Sequence, residues 1–246
     1  MMKKLISLMA VLTAVCSLQL RAGDDKDGWR PYLTRQDLPN GALYLPPPPD
    51  TASLSFLSDW AQHNWGKSVR STPRGERAAE EAHSSPKWMA RFFSPSFGYE
   101  ISKTDTPAIY ELLHRTVNTA SEATQLAKKH HMRKRPYVQF GEGTLVPEEE
   151  ESHRRTGSYP SSHSSIGWAA ALVLAELNPA AQDAILQFGY EYGQSRVIAG
   201  YHYQSDVDAA RVAASACVAR LHADPAFQRD LKKAKREFSR LAVRRK

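Results

Sequence analysis

Three short stretches of the sequence, far apart in the chain, contain polar residues whose types and spacing could do chemistry on an anion. In the first, Lys128 and Arg135 are seven residues apart, so they share one helix face if the helix continues to Arg135. The second stretch, residues 160–163 (Pro-Ser-Ser-His), precedes an apolar segment that is typical of a helix. Backbone N–H groups and a serine hydroxyl at a helix N-terminus favour an anion, so this stretch predicts an anion site with His163 at its edge.

The third stretch contains Arg196, His202 and Asp206. If residues 202–206 are helical, His202 and Asp206 are adjacent on one face. The carboxylate then binds one ring nitrogen of His202 and leaves the other free as a nucleophile or base. A lone Lys/Arg pair is usually a surface feature, and a lone His–Asp pair is usually a structural hydrogen bond. The three stretches together predict a pocket for a tetrahedral oxyanion, with an acid on one side and a nucleophile on the other.

The same residues resemble the three-part signature of the PAP2 phosphatase superfamily, which includes bacterial acid phosphatases, lipid phosphate phosphatases and vanadium haloperoxidases. The matching motifs are Lys128-x6-Arg135-Pro136, Pro160-Ser161-x-His163 and Ser195-Arg196-x5-His202-x3-Asp206. The flanking residues are similar to those of the class A bacterial nonspecific acid phosphatases, namely Tyr44-Leu45 with the prolines 46–49, Gly157-Ser158-Tyr159-Pro160 and residues 200–206. The resemblance covers nearly all of the chain after residue 22.

The resemblance implies a fold, an activity and a role for each motif residue. It implies that His202 attacks phosphorus and forms a phosphohistidine, that Asp206 orients His202, and that His163 protonates the leaving group and then activates water. The residues implied to bind the phosphoryl oxygens are Lys128, Arg135, Arg196, the Ser161 hydroxyl and the Ser162 N–H. Fixed cations and dipoles of this kind stabilise the transferring oxygens, so no metal or other cofactor is expected. The expected substrates are small phosphomonoesters.

One motif position departs from the family pattern, which usually has glycine where this chain has Ser162. Glycine lets a backbone N–H approach phosphate closely. Two alternatives to an acid phosphatase stay open. One is an exported phosphate- or phosphoester-binding protein in which Ser162 has abolished turnover, and the other is a vanadate-dependent haloperoxidase that uses the same pocket. Haloperoxidase chains are usually much longer.

The N-terminus predicts export. Residues 1–22 combine a short basic start with an interrupted apolar segment, which is typical of a signal peptide and too short for a spanning helix. We expect cleavage near Ala22, a periplasmic or secreted protein, and no membrane association after cleavage. Cys217 then has no disulfide partner, and its apolar neighbours predict a small core residue.

The charge pattern argues against a nucleic-acid partner. The formal net charge is +7, but residues 229–246 alone contain nine Lys or Arg and two acids. Leu231, Ala234, Phe238 and Leu241 recur there at helical spacing, which predicts a basic terminal helix with a solvated face. The sequence leaves a homo-oligomer possible as a partner arrangement.

The elements that must position these residues are predicted to be helices. The composition, with 41% hydrophobic residues, is that of a globular protein. Periodic apolar residues predict an all-α, single-domain helical bundle over residues 23–246, after an irregular segment at 23–50. The predicted helical stripes are Leu54, Leu57, Trp60 and Ala61; Ile109, Leu112, Leu113 and Val117; and the segments 166–177, 184–192 and 207–221. Residues 137–158 are expected to form a long polar loop whose acidic run, 148–151, is solvated.

Overall fold

The computed structural model describes residues 30–244, and within them every regular element is a helix. The all-α prediction is confirmed, whereas the signal-peptide prediction for residues 1–22 lies outside the described residues. The α-helices are α1 (Gly41–Tyr44), α2 (Leu54–Ser68), α3 (Pro73–Glu80), α4 (Pro86–Phe97), α5 (Pro107–Glu122), α6 (Gln125–His131), α7 (Pro136–Phe140), α8 (Glu150–Arg154), α9 (Ser162–Leu177), α10 (Gln182–Ala199), α11 (Gln204–Leu221) and α12 (Pro225–Arg244). Short 3₁₀ turns span Pro147–Glu149 and Pro179–Ala181. None of the helices in residues 30–244 is long and apolar enough to cross a bilayer.

Helix α9 lies at the centre of the bundle and packs against α5, α10 and α11. A helix that is apolar on nearly all sides must be buried on all sides, and Val173 and Leu174 are accordingly inaccessible. The predicted stripe on α5 is buried, since Ile109 and Leu112 have no exposed surface. Helix α9 ends at Leu177, the last residue of the predicted segment 166–177, and the Asn178-Pro179 pair that follows disfavours its continuation.

A glycine sets the distance between α9 and α10. A Cβ built on Gly167 would lie 2.3 Å from Cδ1 of Tyr192, so no larger residue fits there. The ring of Tyr192 is fully buried and stacks on the imidazole of His163, with centroids 4.4 Å apart and planes at 12°. The close approach of α9 and α10 therefore packs the Tyr192 ring against His163, one of the predicted site residues.

Helix α2 exists where the sequence predicted it, but its apolar stripe does not face the core. The Leu54 and Leu57 side chains are 86% and 58% exposed, whereas Asp59 and His63 are buried. The buried residues of α2 are Phe56, Asp59, His63 and Gly66, and Asp59 forms an ion pair with a largely buried arginine, described below. Apolar periodicity indicated the helix correctly and its buried face wrongly.

The basic terminal helix is confirmed as α12. Leu231 and Ala234 are buried and contact the main core, with Phe238 and Leu241 packed at its edge. The carboxylate of Glu237 accepts hydrogen bonds from the first-turn amides of α5, at 3.2 Å from the Ala108 nitrogen and 2.8 Å from that of Ile109. A carboxylate at a helix N-terminus satisfies free N–H groups and interacts well with the helix dipole.

Residues 137–158 are more ordered than the predicted long loop. They contain the end of α7, the 3₁₀ turn Pro147–Glu149 and α8. The Glu150 carboxylate accepts hydrogen bonds from the amide and the hydroxyl of Thr144, both at 2.9 Å. The acidic run is therefore not a uniform solvated surface: Glu148 and Glu151 are exposed, but Glu149 and Glu150 are partly buried.

Two smaller predictions have clear outcomes. Cys217 is a free, fully buried core residue of α11, as predicted. The segment predicted to be irregular at 23–50 contains the short helix α1 in its described part. Beyond α1, the Tyr159 hydroxyl donates a hydrogen bond to the carbonyl of Pro46, which fastens the proline-rich segment to the body.

Candidate active site

A cavity of about 310 Å³ opens between α5, α6, α9 and α10 and the segment 149–156. Six of the eight predicted site residues line it, namely Lys128, Arg135, Ser162, His163, Arg196 and His202. The other two, Ser161 and Asp206, have no exposed surface and lie behind the pocket wall. The structure therefore brings the three motif stretches to one pocket.

Lys128 is buried on α6 and is held by two carbonyl groups. Its Nζ donates to the carbonyls of Gly157 and Pro160, both at 2.9 Å. An ammonium group has three donors, so one proton is left for a pocket ligand. Burial, with the neighbouring charge of Arg135, lowers the pKa of Lys128 to about 7.

Lys128 and Arg135 do not share a helix face, contrary to the prediction. Helix α6 ends at His131, and Met132 adopts a left-handed conformation with φ of 42°. Arg135 is instead the N-cap residue of α7. The two cations meet because the chain turns between them, and not because they are seven residues apart on one helix.

Glycine is required where the second motif approaches the first. A Cβ on Gly157 would lie 2.6 Å from the carbonyl oxygen of Lys128. The Ser158 amide donates to the carbonyl of Arg133 at 2.8 Å, so the two backbones run side by side. This close backbone approach brings the carbonyl of Gly157 within reach of the Lys128 ammonium.

Arg135 is almost fully buried and is oriented by its neighbours. Its Nε donates to the carbonyl of His153 at 3.1 Å and its Nη2 donates to the Thr156 hydroxyl at 3.0 Å. Its Nη1 lies 3.1 Å from Nε2 of His202. Burial, together with the charge of Arg196, lowers the pKa of Arg135 to about 10, so the guanidinium stays charged at neutral pH.

Arg196 presents free donors to the pocket. Its guanidinium lies over the ring of Tyr201, 4.5 Å from the centroid. Its Nε and Nη1 are buried and have no hydrogen-bond partner among the described residues. Burial is also the largest cause of the lowered pKa of Arg196. Unpartnered buried donors are costly, so a group with this arrangement is suited to an anionic ligand.

The two serines at the start of α9 have different roles. Ser161 is the N-cap residue, and its hydroxyl oxygen accepts a hydrogen bond from the Ser164 amide at 3.2 Å. Ser162 lines the pocket, but its hydroxyl lies 2.6 Å from that of Thr124 and accepts a hydrogen bond from Nε2 of Gln125 at 3.2 Å. The side chain that replaces the family's glycine is thus fixed by the junction of α5 and α6.

His163 is in the first turn of α9, with its ring against Tyr192. Its Nε2 is buried and has no hydrogen-bond partner, while a hydrogen bond to the backbone of Glu81 raises the pKa of the ring. Burial, and then the charge of Arg196, outweigh that bond and lower the pKa of His163 well below its usual value. An anion bound at Arg196 would reverse part of this shift by favouring the imidazolium.

His202 and Asp206 meet, but not on one helical face as predicted. Helix α11 begins at Gln204, so His202 lies in the turn before it. Asp206 reaches back from the first turn, where its Oδ2 accepts from the Tyr203 amide at 2.9 Å and lies 3.4 Å from Nδ1 of His202. The carboxylate caps its own helix and contacts the imidazole with the same oxygen.

The contacts of His202 define its tautomer. Nε2 faces a guanidinium N–H of Arg135, which can only donate, so Nε2 carries the lone pair and Nδ1 carries the proton. Burial and the charge of Arg135 lower the pKa of His202 well below its usual value. These surroundings favour the neutral ring, whose Nε2 lone pair faces the guanidinium of Arg135.

Sequence reasoning missed an arginine that supports this pair. Arg133 donates from Nη1 to Oδ1 of Asp206 at 2.6 Å and from Nη2 to Oδ2 of Asp59 at 2.7 Å. Burial alone would raise the pKa of Asp206, but the hydrogen bond to His202 and the charge of Arg133 hold it well below its usual range. The Ser158 hydroxyl also donates to Asp206. Arg133 is two positions before Arg135, whereas nothing in the sequence points to Asp59.

A second missed residue is Glu81, at the end of α3. Its carboxylate is buried and accepts a hydrogen bond from the Ser195 hydroxyl, which in turn accepts from Nη2 of Arg74 at 2.8 Å. Glu81 thus binds His163 through its backbone and the residue before Arg196 through its side chain. Burial raises the pKa of the Glu81 carboxyl.

Two further pocket residues, Glu149 and His153, were also missed. The sequence placed Glu149 in a solvated acidic run. Burial is the main reason why the pKa of His153 is lowered. No group of three or more potential metal ligands occurs among residues 30–244.

Comparisons with known proteins agree with the motifs. A family model described as the PAP2 superfamily matches residues 113–229. The non-specific acid phosphatase of Providencia stuartii is 48% identical over 211 residues, which are 85% of this chain and 85% of that protein. The non-specific acid phosphatase of Salmonella typhimurium is 40% identical over 211 residues, covering 85% of this chain and 84% of that protein. The acid phosphatase of Zymomonas mobilis is 33% identical over 198 residues, covering 80% of this chain and 75% of that protein. The chain therefore belongs to the PAP2 superfamily, among relatives that are bacterial acid phosphatases.

Proposed function

We propose that this protein is an exported acid phosphatase that hydrolyses phosphomonoesters through a phosphohistidine at His202. The observation that carries the proposal is the set of free donors in the pocket. Nε and Nη1 of Arg196 and Nε2 of His163 are buried without partners, and the lone pair of His202 faces the same cluster of cations. A tetrahedral oxyanion would supply the missing acceptors.

Phosphate binding uses the three buried cations. The free Lys128 proton and the guanidinium groups of Arg135 and Arg196 would bind the non-bridging oxygens, with the N-terminal amides of α9. These charges are fixed by the fold before substrate arrives, so little reorganisation is needed when charge redistributes in the transition state. The Ser162 hydroxyl is already bonded to Thr124 and Gln125, which leaves the backbone N–H as its contribution.

Nucleophilic attack comes from Nε2 of His202, with the lone pair directed toward the bound phosphorus. As the N–P bond forms, positive charge develops on the imidazole. The Asp206 carboxylate, 3.4 Å from Nδ1, stabilises that charge and maintains the ring orientation. Arg133 keeps Asp206 ionised, so the carboxylate remains an acceptor at acidic pH.

Proton transfer falls to His163. The imidazolium donates its proton to the ester oxygen as the O–P bond breaks, and the neutral ring then accepts a proton from the water that hydrolyses the phosphohistidine. Substrate dianion next to Arg196 offsets the effect that lowers the pKa of His163 in the free pocket. Acidic pH favours the protonated ring that the first step requires.

Turnover of p-nitrophenyl phosphate in the presence of EDTA tests this proposal. We expect saturable hydrolysis at acidic pH by the wild type, and Ser162→Gly to change kcat/KM by less than about tenfold, because the Ser162 hydroxyl already has partners in the protein. Tight phosphate binding with no product over hours would favour the binding-protein alternative. A large gain in Ser162→Gly would show that this serine impairs turnover.

The proposal that the protein is exported rests on residues 1–22, which we propose to be a signal peptide. N-terminal sequencing of the protein recovered from the periplasm or medium should begin near residue 23. Recovery of the full-length chain from the cytoplasm would contradict this part of the proposal.

A further inference from the structure

A fully buried tyrosine contacts one of the proposed catalytic residues from behind the pocket wall. The Tyr192 ring stacks on the imidazole of His163, with the ring centroids 4.4 Å apart and the planes at 12°. Tyr192 has no exposed surface and is not among the residues that line the pocket. A contribution of Tyr192 to the reaction must therefore pass through a residue that does line the pocket, and His163 is the one on which it stacks.

The surroundings of Tyr192 fix its ring on α10. The hydroxyl donates a hydrogen bond to the carbonyl of His83 at 2.9 Å. Gly167 of α9 lies against one edge of the ring, where a Cβ would be 2.3 Å from Cδ1. The rings of Phe92 and Phe188 pack around it, with centroids at 6.3 and 6.2 Å. A ring that is enclosed and anchored in this way has one orientation, so the plane that it presents to His163 is fixed.

The segment that Tyr192 anchors also binds His163. The backbone of Glu81 is hydrogen-bonded to the His163 ring, and Glu81 is two residues before His83. Ser195, three residues after Tyr192 on α10, donates its hydroxyl to the Glu81 carboxylate. Residues three apart share a helix face, so one face of α10 fastens the segment 81–83 at two points. The ring that stacks on His163 and the backbone that binds it are therefore held by the same helix.

We propose that Tyr192 is a positioning residue for proton transfer by His163. The inference rests on the proposed phosphatase function and deepens it. A single hydrogen bond fixes one point of an imidazole but lets the ring tilt about that point, whereas a flat stack fixes the plane of the ring. The two contacts together set the direction of Nε2, the ring nitrogen that has no partner among the described residues.

The stack suits both protonation states that the mechanism requires. His163 is an imidazolium before the O–P bond breaks and a neutral imidazole afterwards. A tyrosine ring stacks with the neutral imidazole, and its π face attracts the cation. The contact is therefore kept through the proton transfer, which an aliphatic side chain of similar volume would not ensure.

The test compares two esters whose leaving groups differ in their need for a proton. The measured quantity is kcat/KM for glycerol 2-phosphate divided by kcat/KM for p-nitrophenyl phosphate, in the full mature protein at acidic pH. Tyr192→Met fills the space without an aromatic face and should lower this ratio by about tenfold, because only the alkyl ester needs the acid. Tyr192→Phe keeps the face and should stay within about threefold of the wild type.

Phe93→Met is the matched control. Phe93 is also fully buried, packs against Phe188 as Tyr192 does, and does not line the pocket. Phe93→Met should leave the ratio within about twofold of the wild type, because using a ratio cancels any general loss of folded enzyme. Tyr192→Leu, a second variant without an aromatic face, replaces Tyr192→Met if that protein does not fold.

A His163→Ala background shows whether Tyr192 acts through His163. Adding Tyr192→Met to His163→Ala should change the ratio by less than about twofold, because the residue that Tyr192 positions is already absent. Three results would overturn the inference: an unchanged ratio in Tyr192→Met, an equally large loss in Tyr192→Phe, or an undiminished loss in the His163→Ala background. A wild type that hydrolyses neither ester would contradict the phosphatase proposal and this inference with it, whereas the three results above overturn the role of Tyr192 alone.

Discussion

The two histidines of the pocket are held in opposite ways. His202 has a partner on each ring nitrogen, and behind it a chain of charges runs through Asp206 and Arg133 to Asp59. His163 lies on the ring of Tyr192 and is hydrogen-bonded to the backbone of Glu81, and its Nε2 has no partner. The proposed nucleophile is thus held through both ring nitrogens, whereas the proposed acid keeps one ring nitrogen free for proton transfer.

Replacing each histidine by alanine should separate these roles most strongly. His202→Ala removes the nucleophile and should lower kcat/KM by at least about 10⁴-fold for every phosphomonoester. His163→Ala should lower kcat/KM by about 10²–10⁴-fold for alkyl phosphates, whose leaving groups need a proton. The loss for p-nitrophenyl phosphate should be far smaller, since p-nitrophenolate leaves without protonation. Equal losses on both ester types in His163→Ala would remove His163 as the acid.

Asp206→Asn should come next in size. The amide keeps the volume but cannot stabilise an imidazolium, and it can favour the wrong tautomer of His202. We expect kcat to fall by about 10³-fold with KM changed little. The thermal midpoint, measured alongside, identifies any loss that comes from unfolding. A variant with nearly full kcat would show that Asp206 is only a helix cap.

Arg133→Met tests the charge chain behind His202 without touching the pocket wall. Removing the guanidinium leaves the buried carboxylates of Asp59 and Asp206 facing each other's charge. The free energy of unfolding should fall by about 3–5 kcal/mol, as measured by urea denaturation. Adding Asp59→Asn to Arg133→Met should restore part of the lost free energy of unfolding. No recovery would mean that the ion pair between Arg133 and Asp59 contributes little to stability.

The smallest expected effect is the pH dependence of phosphate binding through Lys128. The pKa of this group is lowered to about 7, so its positive charge is present below that pH and lost as the pH rises through it. The inhibition constant for phosphate should rise between pH 6 and pH 8 in the wild type. In Lys128→Arg, whose charge does not titrate in this range, the rise should be smaller by a few-fold. Parallel profiles would assign the pH dependence to another group.

Much of this architecture could be predicted from the sequence. The helical spacing of Ile109, Leu112, Leu113 and Val117 indicated a buried face of α5, and the apolar run before Asn178 indicated α9. Such patterns are local, and burial follows the period of the helix. The motif residues were found because their order and spacing recur in a family.

The geometry inside the motifs could not be predicted from spacing. Lys128 and Arg135 lie on separate helices because Met132 turns the chain, and His202 precedes the helix that contains Asp206. The prediction that the apolar stripe of α2 faces the core is wrong for a related reason. The pairing of Asp59 with Arg133 is a contact between residues 74 positions apart. Single-sequence patterns carry no information about such partners.

The most direct test of the central claim is to trap the intermediate. His163→Ala is mixed rapidly with p-nitrophenyl phosphate, and the reaction is quenched into denaturant at alkaline pH and digested for mass spectrometry. We predict a burst of about one nitrophenolate per site, because the departing group needs no acid while hydrolysis lacks its base, and a phosphoryl group on His202. The absence of a burst, with the His202 peptide unmodified or the phosphoryl group on another residue, would contradict the mechanism.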